Sequence, residues 1–197
     1  MTQLLYHGHG SLALSTNKQW VVEIDPYAGN DYLWEANLIL VSHHHHDHDR
    51  VDLVKHQKDC PVIDPAILHP DGKYLSMDFG EVTVQAVPAY NAHHPRDFGM
   101  GFVLMMDGLK IYLSGDTSYV EEMARLKELQ LDYAFLCCDG IYNMDLSEAA
   151  KCRQIIGAKH TFVYHTSPEK LFASEKIPEF TASGFEYVLP GEVITLK

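Results

Sequence analysis

The stretch VSHHHHDHDR, residues 41–50, holds five of the chain's thirteen histidines and two of its aspartates. The histidines begin where ANLILVS, residues 36–42, ends, and that continuous apolar run predicts a strand buried on both faces. A purification tag would lie at a terminus, whereas this run is internal. A solvated polar loop is the alternative for a histidine cluster taken alone. A loop that directly follows a buried strand, however, can hold its side chains rigidly over the edge of a sheet.

The spacing His-x-His-x-Asp-His, formed by His43, His45, Asp47 and His48, favours a metal site. Side chains two residues apart in an extended segment point the same way, so His43 and His45 are predicted to bind one ion. A turn into a helix at residue 49 would direct Asp47 and His48 at a second ion. Imidazole and carboxylate ligands suit zinc, iron or manganese. Two such ions with a shared water would supply a hydroxide nucleophile at neutral pH.

Four ligands do not fill two metal sites, and further candidates follow other predicted strands. His93 and His94 come after VTVQAVPAY, Asp116 after LKIYLSG, and His165 after HTFVY. Each lies just past a strand, where loops commonly carry functional side chains. Taken singly, each candidate has another explanation. Asp116 is equally well explained as a helix cap, and His165 as a surface residue. One of the two adjacent histidines would be only a loop residue. A whole series of such residues at successive strand ends is far less expected by chance than any one of them.

The remaining pattern predicts an α+β protein with two sheets and helices outside them. Short strands fill residues 3–24, and Asp107-Gly108 predicts a tight hairpin. Helices are predicted over 49–57, 118–130 and 145–157, the last with Asp145 as its N-cap and Gly157 at its end. A second hairpin is predicted over 186–196. The length suits a single domain spanning residues 1–197.

The formal net charge of −12 argues against an extended nucleic-acid surface and favours a small-molecule substrate. The four cysteines form no CxxC pair, so no thiolate zinc site is indicated. No secretory signal and no membrane-spanning run is visible. We therefore expect a cytoplasmic protein that does not bind membranes, and a homo-oligomer stays open.

The motif order resembles the metallo-β-lactamase superfamily of dinuclear metallohydrolases, nearly from end to end. YHGHGSLAL (6–14), EIDPY (23–27), HPRDFGMGF (94–102) and IYLSGDT (111–117) resemble its small ascorbate-phosphate-lactonase-like branch. The resemblance implies a four-layer αββα sandwich, the metallo-β-lactamase-like fold, with the metals in a cleft at one edge of the sheets.

When the family's ligand positions are transferred one by one to this sequence, the resemblance implies a complete ligand set. His43, His45 and one of His93 and His94 would hold the first metal; Asp47, His48 and His165 would hold the second; and Asp116 would bridge the two. The branch has a His-Pro pair eight residues before an aromatic. His94-Pro95 and Phe102 match that pattern, so His94 is preferred over His93. The implied cofactor is two divalent ions, with zinc preferred and manganese or iron as alternatives.

The chain departs from the branch at Cys137, Cys138 and Asp139, where proline and glycine are common. Asp139 would contact substrate, contact a ligand histidine, or shape its loop. His9 is expected near the metals in a supporting or substrate-binding role, with a packed turn histidine as the alternative. Tyr142 would offer a hydroxyl donor at the cleft. Asp25 is expected to be a supporting carboxylate. His44 and His46 should point away from the ions, with a place in the cleft wall as the alternative for His46.

Together these observations predict a metal-dependent hydrolase in which a metal-bound hydroxide attacks an ester, lactone or phosphoester bond of a small molecule. Asp47 is the predicted catalytic residue, which orients the hydroxide and moves its proton. One alternative is a phosphodiesterase or ribonuclease. The others are an iron enzyme of oxygen or nitric oxide with the same fold, and a non-catalytic metal-binding module.

Overall fold

Twelve strands form two six-stranded sheets, and the computed structural model describes all residues 1–197. The strands are β1 (Gln3–Gly8), β2 (Ser11–Ser15), β3 (Val21–Ile24), β4 (Leu38–Leu40), β5 (Val62–Ile63), β6 (Ser76–Asp78), β7 (Val82–Ala89), β8 (Gly99–Met106), β9 (Leu109–Leu113), β10 (Tyr133–Cys137), β11 (His160–Tyr164) and β12 (Val193–Thr195). Sheet 1 has the order β12-β1-β2-β3-β4-β5, and sheet 2 has the order β11-β10-β9-β8-β7-β6.

The two sheets share one core of 44 buried residues. Because side chains alternate along a strand, strands such as β1 and β2 send alternate residues into this core, whereas all five residues of the interior strand β10 belong to it. The inward-facing residues include Leu4, Leu14 and Val22 from sheet 1 and Val84, Leu104 and Ile111 from sheet 2. Packing between the sheets therefore fixes where their strand ends meet.

Four α-helices lie outside or beside the sheets: α1 (Pro65–Leu68), α2 (Met123–Leu126), α3 (Leu146–Ile156) and α4 (Ile177–Ala182). The prediction for α3 is confirmed, since the Glu148 N–H donates to Asp145 Oδ1 at 2.7 Å and Gly157 ends the helix with φ 67°. Helices α2 and α3 contact each other, and α3 contacts β10 of sheet 2. None of these helices combines the length and the apolar character needed to cross a bilayer.

The predicted α+β sandwich is confirmed, although its layer over sheet 1 is thin. Two small apolar clusters on sheet 1 are closed by Tyr32, Trp34 and Val54, which lie outside any α-helix. The predicted helix over 49–57 is wrong, because only a 3-10 turn forms at Val51–Leu53. The Arg50 N–H donates to the Pro26 carbonyl at 2.8 Å, so the chain is tied to the neighbouring loop instead of continuing as a helix.

Two further predictions need correction. The helix over 118–130 is reduced to α2 and a 3-10 turn at Lys127–Leu129, which Gln130 ends with a left-handed φ of 53°. Its predicted first turn does not form, since the Ser118 N–H donates to the Tyr90 carbonyl at 3.0 Å and the Tyr119 N–H to Glu148 Oε1 at 2.8 Å. The C-terminal hairpin over 186–196 does not form. Glu186 bridges to Phe162 at the edge of sheet 2, whereas β12 pairs with β1 in sheet 1. Glu186 and β12 thus each cover an open sheet edge. If these two segments paired with each other as a hairpin, both edges would be exposed.

Strand direction places many loops at one edge. Strands β1, β3 and β4 run parallel to one another within sheet 1, as do β7, β9, β10 and β11 within sheet 2. The tight turn predicted at Asp107-Gly108 is confirmed, with φ values of 49° and 80°, and it reverses the chain between β8 and β9. The loops that leave the carboxyl ends of the parallel strands carry the site described next.

Candidate metal centre

The histidines and aspartates of the site follow the carboxyl ends of seven strands. His9 follows β1, Asp25 follows β3, and the histidine run follows β4 in sheet 1. The sheet 2 contributions are His94 after β7, Asp116 after β9, Asp139 after β10 and His165 after β11. Residues up to 156 positions apart in the chain therefore converge through strand direction within each sheet and packing between the two sheets.

We name His43, His45 and His94 the histidine half of the site. One ring nitrogen from each lies within 4.8 Å of the others. His94 Nε2 is 3.2 Å from His45 Nδ1, and the rings of His43 and His45 have centroids 4.7 Å apart. Three imidazoles at this spacing, all facing one point, match the donor set of a transition-metal site.

We name Asp47, His48 and His165 the carboxylate half, because carboxylates surround it. Ligand atoms of these three residues and of His9 lie within 4.8 Å of one another. The His48 Nε2 atom is 4.0 Å from Asp47 Oδ2, and His9 Nε2 is 3.1 Å from the same oxygen. His9 thus contacts Asp47 directly, in agreement with the supporting role weighed for it.

Asp116 lies between the two halves. Its Oδ1 atom is 3.4 Å from both His48 Nε2 and His165 Nε2. Atoms of His43, His48 and Asp116 also lie within 4.8 Å of one another, so this carboxylate is within reach of both halves. The position is the one expected of a bridging carboxylate.

The outward nitrogens of the histidines have neighbours of a different kind in each half. In the histidine half, His43 Nδ1 is 2.9 Å from Ser42 Oγ, and His94 Nδ1 is 3.1 Å from Asn91 Oδ1. In the carboxylate half, His48 Nδ1 is 3.1 Å from Asp25 Oδ2. His165 Nδ1 is likewise 3.5 Å from Asp139 Oδ2. Such outer contacts orient an imidazole so that its other nitrogen faces the metal.

Three residues of the site adopt positive φ although they are not glycine: His9 at 57°, Asp25 at 46° and His165 at 45°. This left-handed region is uncommon outside glycine, although Asp and His enter it more readily than most residues. Backbone hydrogen bonds hold the strained residues, since the His165 N–H donates to the His9 carbonyl at 2.8 Å. A close approach also requires Gly10, where a Cβ atom would lie 2.8 Å from His48 Cε1.

Several inward-facing atoms of the site are buried without a hydrogen-bond partner. They are His43 Nε2, His48 Nε2, His165 Nε2 and Asp116 Oδ1. Unpaired buried polar atoms are rare because each costs about 1–3 kcal/mol. Divalent cations bound by these clusters would give such atoms a partner, so the residues present fit a metal site.

Burial and charge separate the pKa values of the two halves. Burial and the charge of His48 lower the pKa of His43 to about 2, and burial likewise lowers the pKa of His94. Burial also acts to lower the pKa of His48, but the Asp116 and Asp25 carboxylates outweigh it and raise that pKa to about 9. His43 is therefore neutral at pH 7, whereas His48 carries a proton in the metal-free protein.

The carboxylates and His165 show the same competition. Burial acts to raise the pKa of Asp116, but the neighbouring His165, His48 and His43 outweigh it and lower the pKa well below its usual range. Burial likewise acts to raise the pKa of Asp47, but the hydrogen bond from His9 and the charges of His48 and His9 together outweigh it and lower that pKa. Burial lowers the pKa of His165 to about 4. Both aspartates are thus ionised at any physiological pH, as metal ligands must be.

A cleft of about 500 Å³ opens above these residues. His93 is exposed at its rim, and its ring lies 5.3 Å from that of Tyr142, whereas His94 is buried within the histidine half. His44 points away, with Nε2 3.1 Å from Asp64 Oδ2, and His46 lines the cleft but is largely exposed. Of the adjacent pair, His94 therefore has the position of a ligand and His93 that of a rim residue.

Asp139 combines two of the roles considered for it and does not line the cleft. Its Oδ1 atom accepts from the backbone N–H groups of Ile141 and Tyr142, each at 2.7 Å, which shapes the following loop. Its other oxygen is the neighbour of His165 described above. This loop presents Tyr142, whose side chain is half exposed, at the cleft.

Sequence reasoning missed four contributors to the site. Ser42 and Asn91 contact ligand histidines, and Phe98 packs its ring 4.9 Å from that of His45 and 5.5 Å from that of His94. Glu169 lines the cleft. Asn91 ends PAYN (88–91), which one residue separates from the His93-His94 pair, and that proximity is its only signal. Phe98 lies within HPRDFGMGF, but nothing there indicates that its ring contacts His45 and His94, and nothing in the local sequence marks Glu169.

A family model described as a beta-lactamase superfamily domain matches residues 3–164, most of the chain. That span contains every ligand candidate except His165. The chain belongs to the metallo-β-lactamase superfamily. The predicted superfamily is thereby confirmed, while its narrower branch stays a prediction.

Similar proteins agree with this placement. A metal-dependent hydrolase of Thermococcus onnurineus is 27% identical over 226 aligned positions, covering 100% of both chains. A crystal structure of a Parabacteroides distasonis protein classed as a metal-dependent hydrolase has 30% identity and a TM-score of 0.73, covering 94% of this chain and 91% of that one. Igni18, a metallo hydrolase of Ignicoccus hospitalis, shares the fold at 20% identity with a TM-score of 0.76, covering 100% and 99%. At this level the predicted class, a metal-dependent hydrolase of the superfamily, is confirmed.

Proposed function

We propose that the protein is a dinuclear metal-dependent hydrolase that cleaves an ester, lactone or phosphoester bond of a small molecule. The observation that carries the proposal is the pair of adjacent ligand clusters with Asp116 between them. A single ion would leave one of these clusters without a partner. The buried, unpaired atoms in both halves favour two ions.

In this proposal His43, His45 and His94 hold the first ion, Asp47, His48 and His165 hold the second, and Asp116 contacts both. Nitrogen-rich sites of this kind favour zinc, and manganese or iron(II) are the alternatives. Bound divalent ions supply Lewis acidity and lower the pKa of water enough for attack at neutral pH.

Asp47 is the proposed catalytic residue. Asp47 and Asp116 both line the cleft, but the Asp47 side chain is 21% exposed and that of Asp116 only 8%, so Asp47 is the more accessible to an attacking water. The low pKa of Asp47 keeps it ready to accept a hydrogen bond and orient that water. His9, which contacts Asp47 Oδ2 at 3.1 Å, holds the carboxylate in place and can share the proton it receives.

The proposed setting follows from the same features. The cleft is sized for a small molecule, and the formal net charge of −12 opposes an extended nucleic-acid surface. We propose a cytoplasmic enzyme that acts without a membrane. A homo-oligomer is compatible with this proposal, and gel filtration with light scattering would measure the assembly.

Metal analysis of untagged protein, followed by assays on lactones, esters and phosphoesters, tests the proposal. We expect close to two ions per chain and a metal-dependent turnover. His94→Ala should lower the metal content towards one ion and remove activity. His93→Ala is the matched control one residue away, and it should retain both ions. A phosphodiesterase would cleave phosphodiesters but not lactones.

Two results would refute the proposal. One is full activity in protein from which metals have been removed by chelation. The other is a His94→Ala variant that binds metal and turns over substrate like the His93→Ala control. A non-catalytic module would bind the ions but cleave none of the substrates.

A further inference from the structure

The cleft above the metal centre has neither lysine nor arginine among the ten residues of its wall. Three are carboxylates: the two predicted ligands Asp47 and Asp116, and Glu169. Glu169 forms no ion pair and is exposed to the solvent of the cleft.

The basic residues nearest to the cleft in sequence are engaged elsewhere. Lys170 directly follows Glu169, but its Nζ donates to Glu175 Oε1 at 2.6 Å. Arg96 lies two residues after His94 and donates to Glu122 on the far side of its loop. It also donates to the Tyr90 hydroxyl at 3.2 Å. Neither cation is free to meet a substrate anion.

The turn that carries Glu169 is fixed by hydrogen bonds. Ser167 Oγ accepts from the backbone N–H groups of Glu169 and Lys170, at 3.2 Å and 3.3 Å. This turn begins two residues after His165, so it is anchored to the carboxylate half of the site. Glu169 is therefore held at the cleft by the backbone.

We propose that Glu169 determines specificity by disfavouring anionic groups, so that the substrate is a neutral or cationic carbonyl compound such as an ester, lactone or amide. This inference rests on the proposed function. The carboxylates of Asp47, Asp116, Asp25 and Asp139 already offset the charge of two divalent ions, and Glu169 adds a further negative charge at the cleft itself. This charge disfavours a phosphomonoester dianion, and sites that recognise phosphate usually add arginine or lysine. A neutral ester needs no such partner.

Two probes with the same leaving group test the inference in the metal-loaded enzyme: p-nitrophenyl acetate, which is neutral, and p-nitrophenyl phosphate. In the acetate reaction water supplies oxygen to the acyl carbon, the acyl C–O bond breaks, and acetate, p-nitrophenolate and protons result. Comparing Glu169→Gln with wild type for each probe cancels the difference in intrinsic reactivity. We expect kcat/KM for the phosphate to rise about two- to five-fold more than kcat/KM for the acetate, the size of a partly solvated charge effect.

Glu128→Gln is the matched control, since it removes the same charge from an exposed residue that does not line the cleft. It should change the ratio of the two probes by less than Glu169→Gln does. Charge reversal in Glu169→Lys should enlarge the shift towards the phosphate to about ten-fold.

Calorimetry with inorganic phosphate gives a second measurement that needs no turnover. We expect Glu169→Gln to bind phosphate about two- to five-fold more tightly than wild type and Glu128→Gln to bind it like wild type. Equal phosphate affinity in all three proteins, or an equal change for both probes, would overturn the inference and leave the proposed hydrolase intact. Loss of turnover on every hydrolase substrate with normal metal content would instead count against the proposed function.

Discussion

The histidine half and the carboxylate half of the metal centre lie side by side but are built on different principles. Behind the histidine half stand neutral groups, Ser42 and Asn91, while Asp25 and Asp139 stand behind the carboxylate half. In the first half, burial lowers the pKa values of His43 and His94, so these two imidazoles are neutral at pH 7. The second holds excess negative charge, which a proton on His48 partly offsets in the absence of metal. Two ions of the same element would thus experience different electrostatic fields in the two halves.

The residue between the halves provides the strongest test of this comparison. Asp116→Asn keeps the shape of the side chain but removes the charge shared by both halves. We expect loss of at least one ion and a fall in kcat/KM of about 10³-fold or more, because both halves lose an anionic ligand. Inductively coupled plasma spectrometry and steady-state kinetics would measure the two effects, with circular dichroism to verify folding. An Asn variant with two ions and near-normal activity would break the comparison.

The second-largest effect on metal binding is expected at the two carboxylates behind the ligand histidines, Asp25 and Asp139. Asp25→Asn and Asp139→Asn each leave the ligand histidine in place but remove the negative charge behind it. We expect metal affinity in the carboxylate half to fall about 10- to 100-fold. Competition titration with a fluorescent zinc chelator would resolve this loss. If the histidine half weakened instead, the assignment of these carboxylates would be incorrect.

Proton release should also differ between the halves. His48, with a pKa raised to about 9, must lose its proton to bind metal at pH 7.5, whereas His43, with a pKa of about 2, has none to lose. Affinity of the carboxylate half should rise about ten-fold per pH unit below pH 9 and level off above it. Calorimetry of zinc binding in buffers with different ionisation heats would count the protons.

The two halves can be isolated for that measurement by single ligand substitutions. His94→Ala retains the carboxylate half, and His165→Ala retains the histidine half. We expect about one more proton to be released from the first variant than from the second. Equal numbers of protons released from the two variants would show that the electrostatic fields of the two halves are alike.

The smallest effect is expected at Ser42. Ser42→Ala removes one neutral contact to His43 Nδ1 and leaves the charges unchanged. Metal affinity of the histidine half should fall only about two- to ten-fold, the usual range for one neutral hydrogen bond. The same chelator titration applies, and a loss as large as that of Asp25→Asn would contradict the proposed contrast.

The convergence of the site could be predicted from sequence because it depends on short-range signals. His43, His45, Asp47 and His48 are fixed by their own spacing, and Asp116 and His165 each follow a clear apolar strand. Strand direction then brings their ends together, as observed. The choice between His93 and His94 came from a family pattern, and burial agrees with His94.

The parts that could not be predicted depend on distant partners. The helix expected over 49–57 has suitable local residues, yet the Pro26 carbonyl takes up the Arg50 N–H. The hairpin expected over 186–196 competes with two open sheet edges far away in sequence. Phe98 and Glu169 join the site through loop geometry, which leaves no periodic or spacing signal in the chain.

The positive φ angles of His9, Asp25 and His165 have a consequence for recognising related chains that have abandoned catalysis. Each left-handed residue costs the folded state about 1 kcal/mol, which glycine would avoid. The total is a noticeable share of the roughly 5–15 kcal/mol that holds a typical protein folded. In a related chain that is no longer selected for catalysis, this gain in stability should therefore favour glycine at these three positions. Glycine there, with the sandwich otherwise intact, would be a readable mark of a pseudoenzyme.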